Sequence, residues 1–274
     1  MKTELFSLND RVIVITGAAG LLGRQHADAV AAAGGTPVLL DLFQDPVDQF
    51  VEDLCKTHGV NAVGFAVDIT KEHQVESNCK VVVERFGRID GLINNAANNP
   101  KVENNGEKNF SRLENFPMEA WQADLAVGLT GAFLCAKHYG TAITENPNGG
   151  VILNISSDLA LIAPDQRLYR QPGLPEEQQP VKPVTYSVVK TGLIGLTRYL
   201  STYWPTKVRC NALCPGGVEA GQPEEFLKEL HARIPMGRMA RVDEYQGSIV
   251  FLLSEASSYL NGAVITMEGG RSVW

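Results

Sequence analysis

Short apolar runs, rich in β-branched residues, recur along the whole chain. Most of them are apolar at every position rather than at alternate positions, which is typical of parallel strands covered on both faces of a sheet. The runs predict seven strands, at residues 12–16, 36–41, 62–67, 91–94, 151–155, 208–213 and 263–267. A largely parallel sheet of about seven strands is therefore expected.

Segments with helical spacing of their apolar residues lie between these runs. They include residues 22–33, 72–86, 121–144, 185–203 and 243–254. Alternation of strand and helix implies right-handed crossovers and a doubly wound sheet flanked by helices. No linker separates two halves, so residues 1–274 are expected to form a single α/β domain. Such sheets bind ligands at the carboxyl ends of their strands.

Two stretches interrupt the alternation of strand and helix. Residues 98–115 are polar and rich in asparagine, and residues 164–183 contain five prolines in a glutamine-rich context. Both predict long loops on the substrate side, at about 98–117 and 158–184. Long ordered loops in compact domains often serve as lids or binding loops, although surface segments without a role are the alternative.

The first strand runs into TGAAGLLG, residues 16–23, in which Gly17, Gly20 and Gly23 occupy every third position. A glycine-rich turn between strand and helix exposes backbone N–H groups at a helix N-terminus. Their missing partners and the helix dipole both favour a pyrophosphate there. A tight turn that needs glycine only for packing is the alternative, and the motif by itself does not decide between them.

Asp41 ends the second predicted strand, at about the distance where a dinucleotide-binding fold places its ribose ligand. A carboxylate there accepts hydrogen bonds from the ribose hydroxyls and repels a 2′-phosphate. No arginine or lysine follows within the next few residues. The pattern favours NAD over NADP as the cofactor.

Tyr186 and Lys190 stand four residues apart in TYSVVK, on one face of a predicted helix. A phenol holds its proton to a pH of about 10, and a nearby ammonium favours the phenolate, so tyrosine can act as acid or base nearer neutrality. Ser156 and Ser157 end the strand GVILNISS, where a hydroxyl can donate to a substrate oxygen. A buried tyrosine with a solvated lysine, or serines that form a turn or cap, are the alternative readings.

The composition narrows the possible partners. Charged residues make up 20% of the chain, hydrophobic residues 44%, and the net charge is −7, which does not favour nucleic acid. The chain has no apolar run long enough to cross a bilayer and no signal-peptide core at its N-terminus, so a cytoplasmic protein without membrane association is expected. Cys210 and Cys214 have no second Cys/His pair near them, which predicts structural thiols and no metal site. A small molecule is the expected partner.

Six motifs, in this order, resemble the short-chain dehydrogenase/reductase family of the classical type. They are TGAAGLLG, Asp68-Ile69, INNAA at 93–97, NISS at 154–157, YSVVK at 186–190 and CPGG at 214–217. The resemblance covers essentially the whole chain. It implies a Rossmann fold and reversible hydride transfer between a nicotinamide cofactor and a carbonyl or alcohol.

The resemblance also implies a role for each matching residue. Ser157 matches the serine that polarises the substrate, Tyr186 the general acid/base, and Lys190 the group that binds the nicotinamide ribose and assists Tyr186. The expected cofactor-binding positions, besides Tyr186 and Lys190, are Gly17, Gly20, Leu21, Leu22, Gly23, Asp41, Asp68, Ile69, Asn95, Ala96, Pro215, Gly216 and Val218.

The chain departs from the family pattern at three positions. Leu21 occupies the second glycine position of T-G-x-x-x-G-x-G, so the loop is closer to the T-G-x-x-G-x-x-G of the extended branch. Gly128, in AVGLTGAFL, stands where the family has an asparagine that holds a water of the proton relay. A backbone carbonyl and water can suffice in its place. Ala220 replaces the threonine that often binds the carboxamide.

The segment between Ser157 and Tyr186 is about twice as long as is usual in the family. Within it, Arg167 and Arg170 can bind a phosphate or carboxylate through two parallel hydrogen bonds, although solvated arginines are more common in loops. DLALIAPDQRLYR and the motifs after it also resemble bacterial enzymes of flagellin or surface-glycan modification. That resemblance implies a nucleotide-sugar or amino-sugar carbonyl as substrate.

The first hypothesis is therefore an NAD(H)-dependent oxidoreductase. The alternatives are a generic alcohol or 3-oxoacyl reductase, and a catalytically silent NAD-binding sensor, which Gly128 and Ala220 make conceivable. A binding module has no need of the acid/base residues, which argues against the sensor. The family resemblance further implies a homotetramer or homodimer built through the helices at 121–144 and 185–203.

Overall fold

All seven predicted strands pair in one parallel sheet. The computed structural model describes residues 3–98 and 110–274. The strands are β1 (Val12–Thr16), β2 (Thr36–Asp41), β3 (Val63–Ala66), β4 (Gly91–Asn94), β5 (Gly150–Ile155), β6 (Val208–Pro215) and β7 (Val264–Met267). Their order is β3-β2-β1-β4-β5-β6-β7, with every neighbouring pair parallel. The doubly wound α/β fold is confirmed.

Helices cover both faces of the sheet. They are α1 (Leu21–Ala32), α2 (Gln44–His58), α3 (Glu72–Phe86), α4 (Met118–Leu125), α5 (Gly131–Cys135), α6 (Thr141–Thr144), α7 (Val184–Tyr203), α8 (Glu224–His231) and α9 (Gln246–Leu253). The helix expected at 121–144 starts at Met118 and continues through two π-helical turns, Ala126–Thr130 and Ala136–Gly140, which join α4, α5 and α6. α2 and α8 were not predicted.

Two apolar clusters form the core, one on each face of the sheet. Alternate residues of β1 point to opposite faces, so Ile13 and Ile15 lie in one cluster while Val12 and Val14 lie in the other. The first cluster holds the apolar faces of α1, α2 and α9, and the second those of α3, α5 and α7. Burial on both faces explains why the strands are apolar at every position.

The strand order reverses between β1 and β4, which is where an open α/β sheet forms its ligand-binding crevice. The glycine loop after β1, the segment after β4 and the serines after β5 all lie at the carboxyl edge. No helix among the described residues is long and apolar enough to cross a membrane.

Of the two expected loops, the structure describes the second in full and the first only in part. Residues 99–109, most of the loop predicted at 98–117, lie outside the described residues. The segment between β5 and α7 contains three short 3-10 turns, Asp158–Ala160, Gln166–Tyr169 and Glu176–Gln178. Its Leu168 is buried against Leu230 of α8, so this insertion packs on the body of the protein.

Candidate active site

The glycines of the loop after β1 occupy structurally different positions. Gly17 has φ +62°, and a Cβ built on it would lie 2.9 Å from the Cα of Ala96. A Cβ on Gly23 would lie 2.1 Å from the carbonyl oxygen of Gly17. These two positions therefore need glycine for close packing.

Gly20 differs because its backbone is extended, with φ −74° and ψ 172°, and a Cβ there would lie 3.3 Å from the carbonyl oxygen of Gly17. It precedes α1, whose first turn has no side-chain cap. The amides of Leu21 and Leu22 therefore have neither an intrahelical partner nor a capping side chain. Two glycines serve packing, and the helix start presents donors of the kind that suit a pyrophosphate, so the geometry is compatible with both interpretations of the motif.

Asn95 holds the glycine loop from the side of β4. Its Nδ2 donates to the carbonyl oxygens of Thr16 at 3.0 Å and Gly17 at 3.1 Å. The hydroxyl oxygen of Thr16 in turn accepts from the backbone N–H groups of Asn95 and Ala96, both at 3.0 Å. The side chain of Asn95 is therefore committed to orienting the loop.

Asp41, at the end of β2, also bonds the glycine loop. Its Oδ2 accepts from the backbone N–H of Ala19 at 2.8 Å, and its Oδ1 accepts from that of Leu42 at 2.8 Å. Arg24 bonds the carbonyl of Ala19 at 3.0 Å from the other side, with its guanidinium carbon 4.8 Å from the centroid of the Phe50 ring. The loop thus carries a fixed negative charge beside it.

Asp68 and Ile69 follow β3 at the same edge of the sheet. The Oδ1 of Asp68 accepts from the N–H and hydroxyl of Thr70, at 2.9 and 2.7 Å, and so forms a local turn. Ile69 is buried, and a Cβ built on Gly131 would lie 2.7 Å from its Cδ1. Its side chain packs on α5, which leaves its backbone as the part available to a ligand.

Pro215 ends β6 on the opposite side of the crevice, and Gly216 and Val218 follow it. A Cβ on Gly216 would lie 2.9 Å from the Cα of Glu268, and the carbonyl of Gly216 accepts from the Tyr245 hydroxyl at 3.0 Å. Val218 pairs with the backbone of Ala240 in an isolated parallel bridge.

Gln222 ties down the segment in which Ala220 replaces the family's threonine. Its Oε1 accepts from the N–H of Ala220 and its Nε2 donates to the carbonyl of Val218, both at 2.8 Å.

Tyr186, Ser157 and Lys190 come together at the carboxyl edge of β5. The side chain of Ser157 lies beside Tyr186, where it acts to lower the pKa of the phenol. Lys190, one helical turn further along α7, donates from Nζ to the carbonyl of Ile155 at 2.8 Å, with Nζ 5.9 Å from the centroid of the Tyr186 ring. The hydroxyl of Ser156 donates to the carbonyl of Lys190 at 2.7 Å, which fastens α7 to the end of β5.

The electrostatics of this cluster differ from the expectation that Lys190 lowers the pKa of Tyr186. Burial raises the pKa of Tyr186 above its usual value, the side chain of Ser157 works in the opposite direction, and the charge of Asp158 raises the pKa further. Burial also lowers the pKa of Lys190 to about 8. Desolvation is therefore the largest cause of the pKa shift of both groups.

Two charged groups in this cluster were not expected from the sequence. Lys182, just before α7, has its Nζ 4.0 Å from the centroid of the Tyr186 ring, and burial lowers its pKa. Asp158 follows Ser157 directly, and its Oδ2 accepts from Nη1 of Arg271 at 2.7 Å. The sequence NISSD could have identified Asp158 as a neighbour of Ser157. No motif near Arg271 in the sequence indicates that it contacts this site.

Gly128 lies in the first π-helical turn, Ala126–Thr130, and is buried. One helical turn before it, the Oδ2 of Asp124 accepts from the hydroxyl of Thr185 at 2.5 Å, which joins α4 to the start of α7. The helix that carries Gly128 is therefore packed directly on the helix of Tyr186.

Arg167 and Arg170 are bonded within the insertion itself. Arg167 bonds both carboxylate oxygens of Asp165 at 2.8 Å, with its side chain 75% exposed. Arg170 bonds both oxygens of Glu176, at 2.8 and 2.7 Å, with its side chain 55% exposed. Contact of either residue with a substrate stays a prediction to which this arrangement gives no support.

A cavity of about 410 Å³ opens between the insertion, the segment before α4 and the start of α7. Lys182 and Ser187 line it, and the buried hydroxyl of Ser187 has no hydrogen-bond partner among the described residues. Its size is in the range of small-molecule sites. Within residues 3–98 and 110–274, no group of His, Cys, Asp and Glu side chains is arranged to hold a metal ion.

Comparison with solved structures gives the same fold. The gluconate 5-dehydrogenase from Burkholderia cenocepacia, crystallised with NADP and tartrate, superposes with a TM-score of 0.85 at 25% sequence identity, covering 99% of this chain and 98% of that chain.

Sequence comparison finds relatives over nearly the full length. The D-threitol dehydrogenase of Mycolicibacterium smegmatis is 30% identical, covering 98% of this chain and 95% of that protein. The NADP-dependent mannitol dehydrogenase of Alternaria alternata is 28% identical, with the same coverage of 98% and 95%.

Family models match most of the chain. Residues 11–168 match the short chain dehydrogenase model, and residues 176–272 match the model described as enoyl-(acyl carrier protein) reductase. The first model alone spans more than half of the sequence and includes the glycine loop, Asp41 and Ser157. The chain therefore belongs to the short-chain dehydrogenase family, whose members named above oxidise or reduce alcohol and carbonyl groups.

Proposed function

We propose that the protein is an NAD(H)-dependent dehydrogenase that interconverts a secondary alcohol of a small polyol and the corresponding ketone. The observation that carries the proposal is the meeting of Tyr186, Ser157 and Lys190 at the carboxyl edge of β5. A cavity large enough for a small molecule is lined by Lys182, whose Nζ lies 4.0 Å from the centroid of the Tyr186 ring. A silent sensor would have no need of this buried acid/base cluster.

Tyr186 is the proposed general acid/base. In alcohol oxidation its phenolate accepts the hydroxyl proton while the carbon gives up hydride and the C=O bond forms. In the reverse direction the phenol returns the proton to the carbonyl oxygen. Ser157, next to the same phenol, positions that oxygen, and Lys190 supplies a positive charge near the ring.

The residues around the crevice fit a nicotinamide dinucleotide. The uncapped start of α1 suits the pyrophosphate, and the cradle made by Gly17 and Gly23 has no room for a Cβ at either position. When bound, the cofactor accepts or donates the hydride. Lys190 is expected to bind the ribose of the nicotinamide half, with Pro215 and Val218 on the nicotinamide side of the crevice.

The preference for NAD rests on Asp41. Its carboxylate is held beside the loop by two hydrogen bonds and would repel a 2′-phosphate at close range. The named mannitol dehydrogenase relative uses NADP, so the preference of this chain is the finer part of the proposal.

The substrate class rests on the chemistry of the relatives and of the cavity. Threitol and mannitol are uncharged polyols, as the names of those relatives state. The nucleotide-sugar or amino-sugar carbonyl suggested by the sequence resemblance has no counterpart in the relatives named above. The arginines that could have held its phosphates are paired within the insertion. We therefore place free polyols first, with generic alcohols and 3-oxoacyl substrates next.

The test is turnover of a panel of tetritols, pentitols and hexitols, and of the matching ketoses, with each of NAD(H) and NADP(H). We expect polyol oxidation with NAD⁺ that Tyr186→Phe abolishes while dinucleotide binding is retained. Undiminished turnover by Tyr186→Phe would reject the acid/base assignment. Turnover of nucleotide sugars but not polyols would reject the substrate class alone.

Association through the outer helices is the remaining proposal. Phe133 of α5 and Tyr199 and Tyr203 of α7 are exposed, and the two tyrosine rings stack with centroids 5.5 Å apart. Such aromatic surface on neighbouring helices supports a dimer or tetramer. Light scattering of the wild type and of Tyr199→Glu tests it, because a monomeric wild type would reject the assembly.

A further inference from the structure

We propose that Asp158 and Arg271 form a positioning pair that holds the Ser157 hydroxyl and balances charge beside the acid/base tyrosine. The inference deepens the proposed function, because it assigns regulation of the same site to residues outside the Ser157, Tyr186 and Lys190 cluster. Both residues act through Ser157, and neither is proposed to touch the reacting atoms.

Two hydrogen bonds join Ser157 to the C-terminal segment through the carboxylate of Asp158. The hydroxyl of Ser157 donates to Oδ1 of Asp158 at 2.8 Å, and Nη1 of Arg271 donates to Oδ2 of the same carboxylate at 2.7 Å. Because a carboxylate can only accept, the proton of Ser157 points to Asp158. The oxygen of Ser157 accepts from the backbone N–H of Leu159 at 3.2 Å, and the side chain of Ser157 also acts to lower the pKa of Tyr186 beside it.

The ion pair is buried, with side chains 4% exposed at Asp158 and 11% at Arg271. Removing one member of a buried pair leaves an uncompensated charge, which is costly and acts on its neighbours through a medium of low dielectric. Exposed ion pairs of this protein, such as the one between Arg167 and Asp165, lack this property because water screens them.

A tight turn after β7 brings Arg271 to this place. Gly269 has φ +69° and Gly270 φ +86°, conformations that other residues rarely adopt. Cβ atoms there would lie 2.7 Å from Cγ2 of Ile234 and 3.0 Å from Cγ of Pro235. Glu268 closes the turn, since its Oε2 accepts from the backbone N–H of Ser272 at 2.9 Å. The tight packing and the positive φ angles of this turn position the guanidinium of Arg271 next to Asp158.

Several charged or titratable groups face Tyr186, and Asp158 is the acidic one whose charge opposes the phenolate. Lys190 faces the ring from α7 and Lys182 from the segment before it. Burial raises the pKa of Tyr169, in the insertion, to about 12. The charge of Arg271 lowers this pKa, and Tyr186 raises it. Arg271 offsets the charge of Asp158, which would otherwise help to keep Tyr186 protonated.

Three variants distinguish a positioning pair from a merely structural one. Arg271→Met leaves the charge of the Asp158 carboxylate unbalanced beside Ser157 and Tyr186. Asp158→Asn removes the negative charge with little change of shape, and the double variant restores neutrality. The readout is the pH dependence of kcat/KM for alcohol oxidation, which rises as Tyr186 loses its proton.

We expect Arg271→Met to raise the apparent pKa of that rise by about 1, and Asp158→Asn to lower it by about as much. The double variant should return near the wild-type value. Arg88→Met is the matched control, because Arg88 bonds the buried Asp90 before β4, at the opposite edge of the sheet. It should change stability without changing the pH profile.

A second readout needs neither cofactor nor turnover. Ultraviolet titration of tyrosinate in the cofactor-free protein, with the Tyr186→Phe signal subtracted for each background, should show the same opposite shifts. If the wild type turned over no alcohol, the proposed function would fail while this titration still tested the pair. Unchanged pH profiles and titrations in the variants, with stability alone reduced, would overturn the inference. Asp158→Asn decides the question if Arg271→Met does not fold.

Discussion

A Cβ atom built on Gly128 would lie 2.5 Å from Cγ1 of Val189. The position at which the family's asparagine is missing is therefore filled from the other side, by a β-branched side chain next to Lys190. Valine is stiff about χ1 and cannot easily turn away. Val189 occupies the space that an asparagine side chain at position 128 would need. Restoring the asparagine alone is therefore not expected to restore the family's arrangement.

Gly128→Asn should lower the free energy of unfolding by about 1–3 kcal/mol, because the added side chain overpacks the contact between the two helices. Val189→Ala opens the space, so Gly128→Asn in that background should cost less than in the wild type. Urea unfolding of the four proteins measures the difference. Equal costs in the two backgrounds would contradict the proposed complementarity.

Asp41→Asn should move the cofactor preference toward NADPH. Asparagine keeps a side-chain oxygen for the N–H of Ala19 but removes the charge that would repel a 2′-phosphate. We expect the ratio of the dissociation constants for NADPH and NADH to fall about tenfold, equivalent to about 1.4 kcal/mol. Fluorescence titration with each reduced cofactor measures it.

Asp45→Asn is the control for this experiment, since Asp45 lies exposed in the first turn of α2. It should leave the ratio near that of the wild type. A wild type that already prefers NADPH would refute the assignment of Asp41.

Gly23→Ala and Gly20→Ala should differ sharply in stability. A methyl at Gly23 would meet the carbonyl oxygen of Gly17 at 2.1 Å, and backbone cannot move aside as a side chain can. At Gly20 the same oxygen is 3.3 Å away and the backbone is extended. We expect a loss of more than about 2 kcal/mol for Gly23→Ala and less than about 1 kcal/mol for Gly20→Ala. Similar melting temperatures for the two would show that the packing argument is wrong.

Local pattern was sufficient for the sheet but not for every helix. The strand residues Val12–Thr16 are buried on both faces. A strand of this kind is a short, continuous apolar run, which can be recognised in the sequence. α2 was missed although Val47, Phe50 and Leu54 recur at helical spacing and are buried. α8 offers a weaker signal, because Leu230 is its one buried residue.

In the candidate site, too, some contacts could be predicted from the sequence and others could not. Tyr186 and Lys190 are one helical turn apart, so their proximity follows from the helix itself. Arg271 reaches Asp158 across 113 residues of sequence, and only the fold brings them together. The expected lowering of the pKa of Tyr186 failed for a related reason, since the extent of burial cannot be read from spacing.

His26 of α1 makes stability sensitive to acid. The residue is 1% exposed, and its Nδ1 has no hydrogen-bond partner among the described residues. Burial, with a further contribution from the charge of Lys190, lowers the pKa of His26 from 6.5 to about 3. Between these values the unfolded chain binds a proton that the native protein does not, so stability falls as pH decreases from 6.5 toward 3.

His26→Leu should flatten this part of the pH dependence, because leucine is of similar size and binds no proton in either state. The difference from the wild type should grow by up to about 1.4 kcal/mol for each pH unit below 6.5. His73→Gln is the control, since His73 is exposed and should leave the slope as it is. Urea unfolding at a series of pH values measures the slope, and an equally steep decline in His26→Leu would assign the acid sensitivity to other groups.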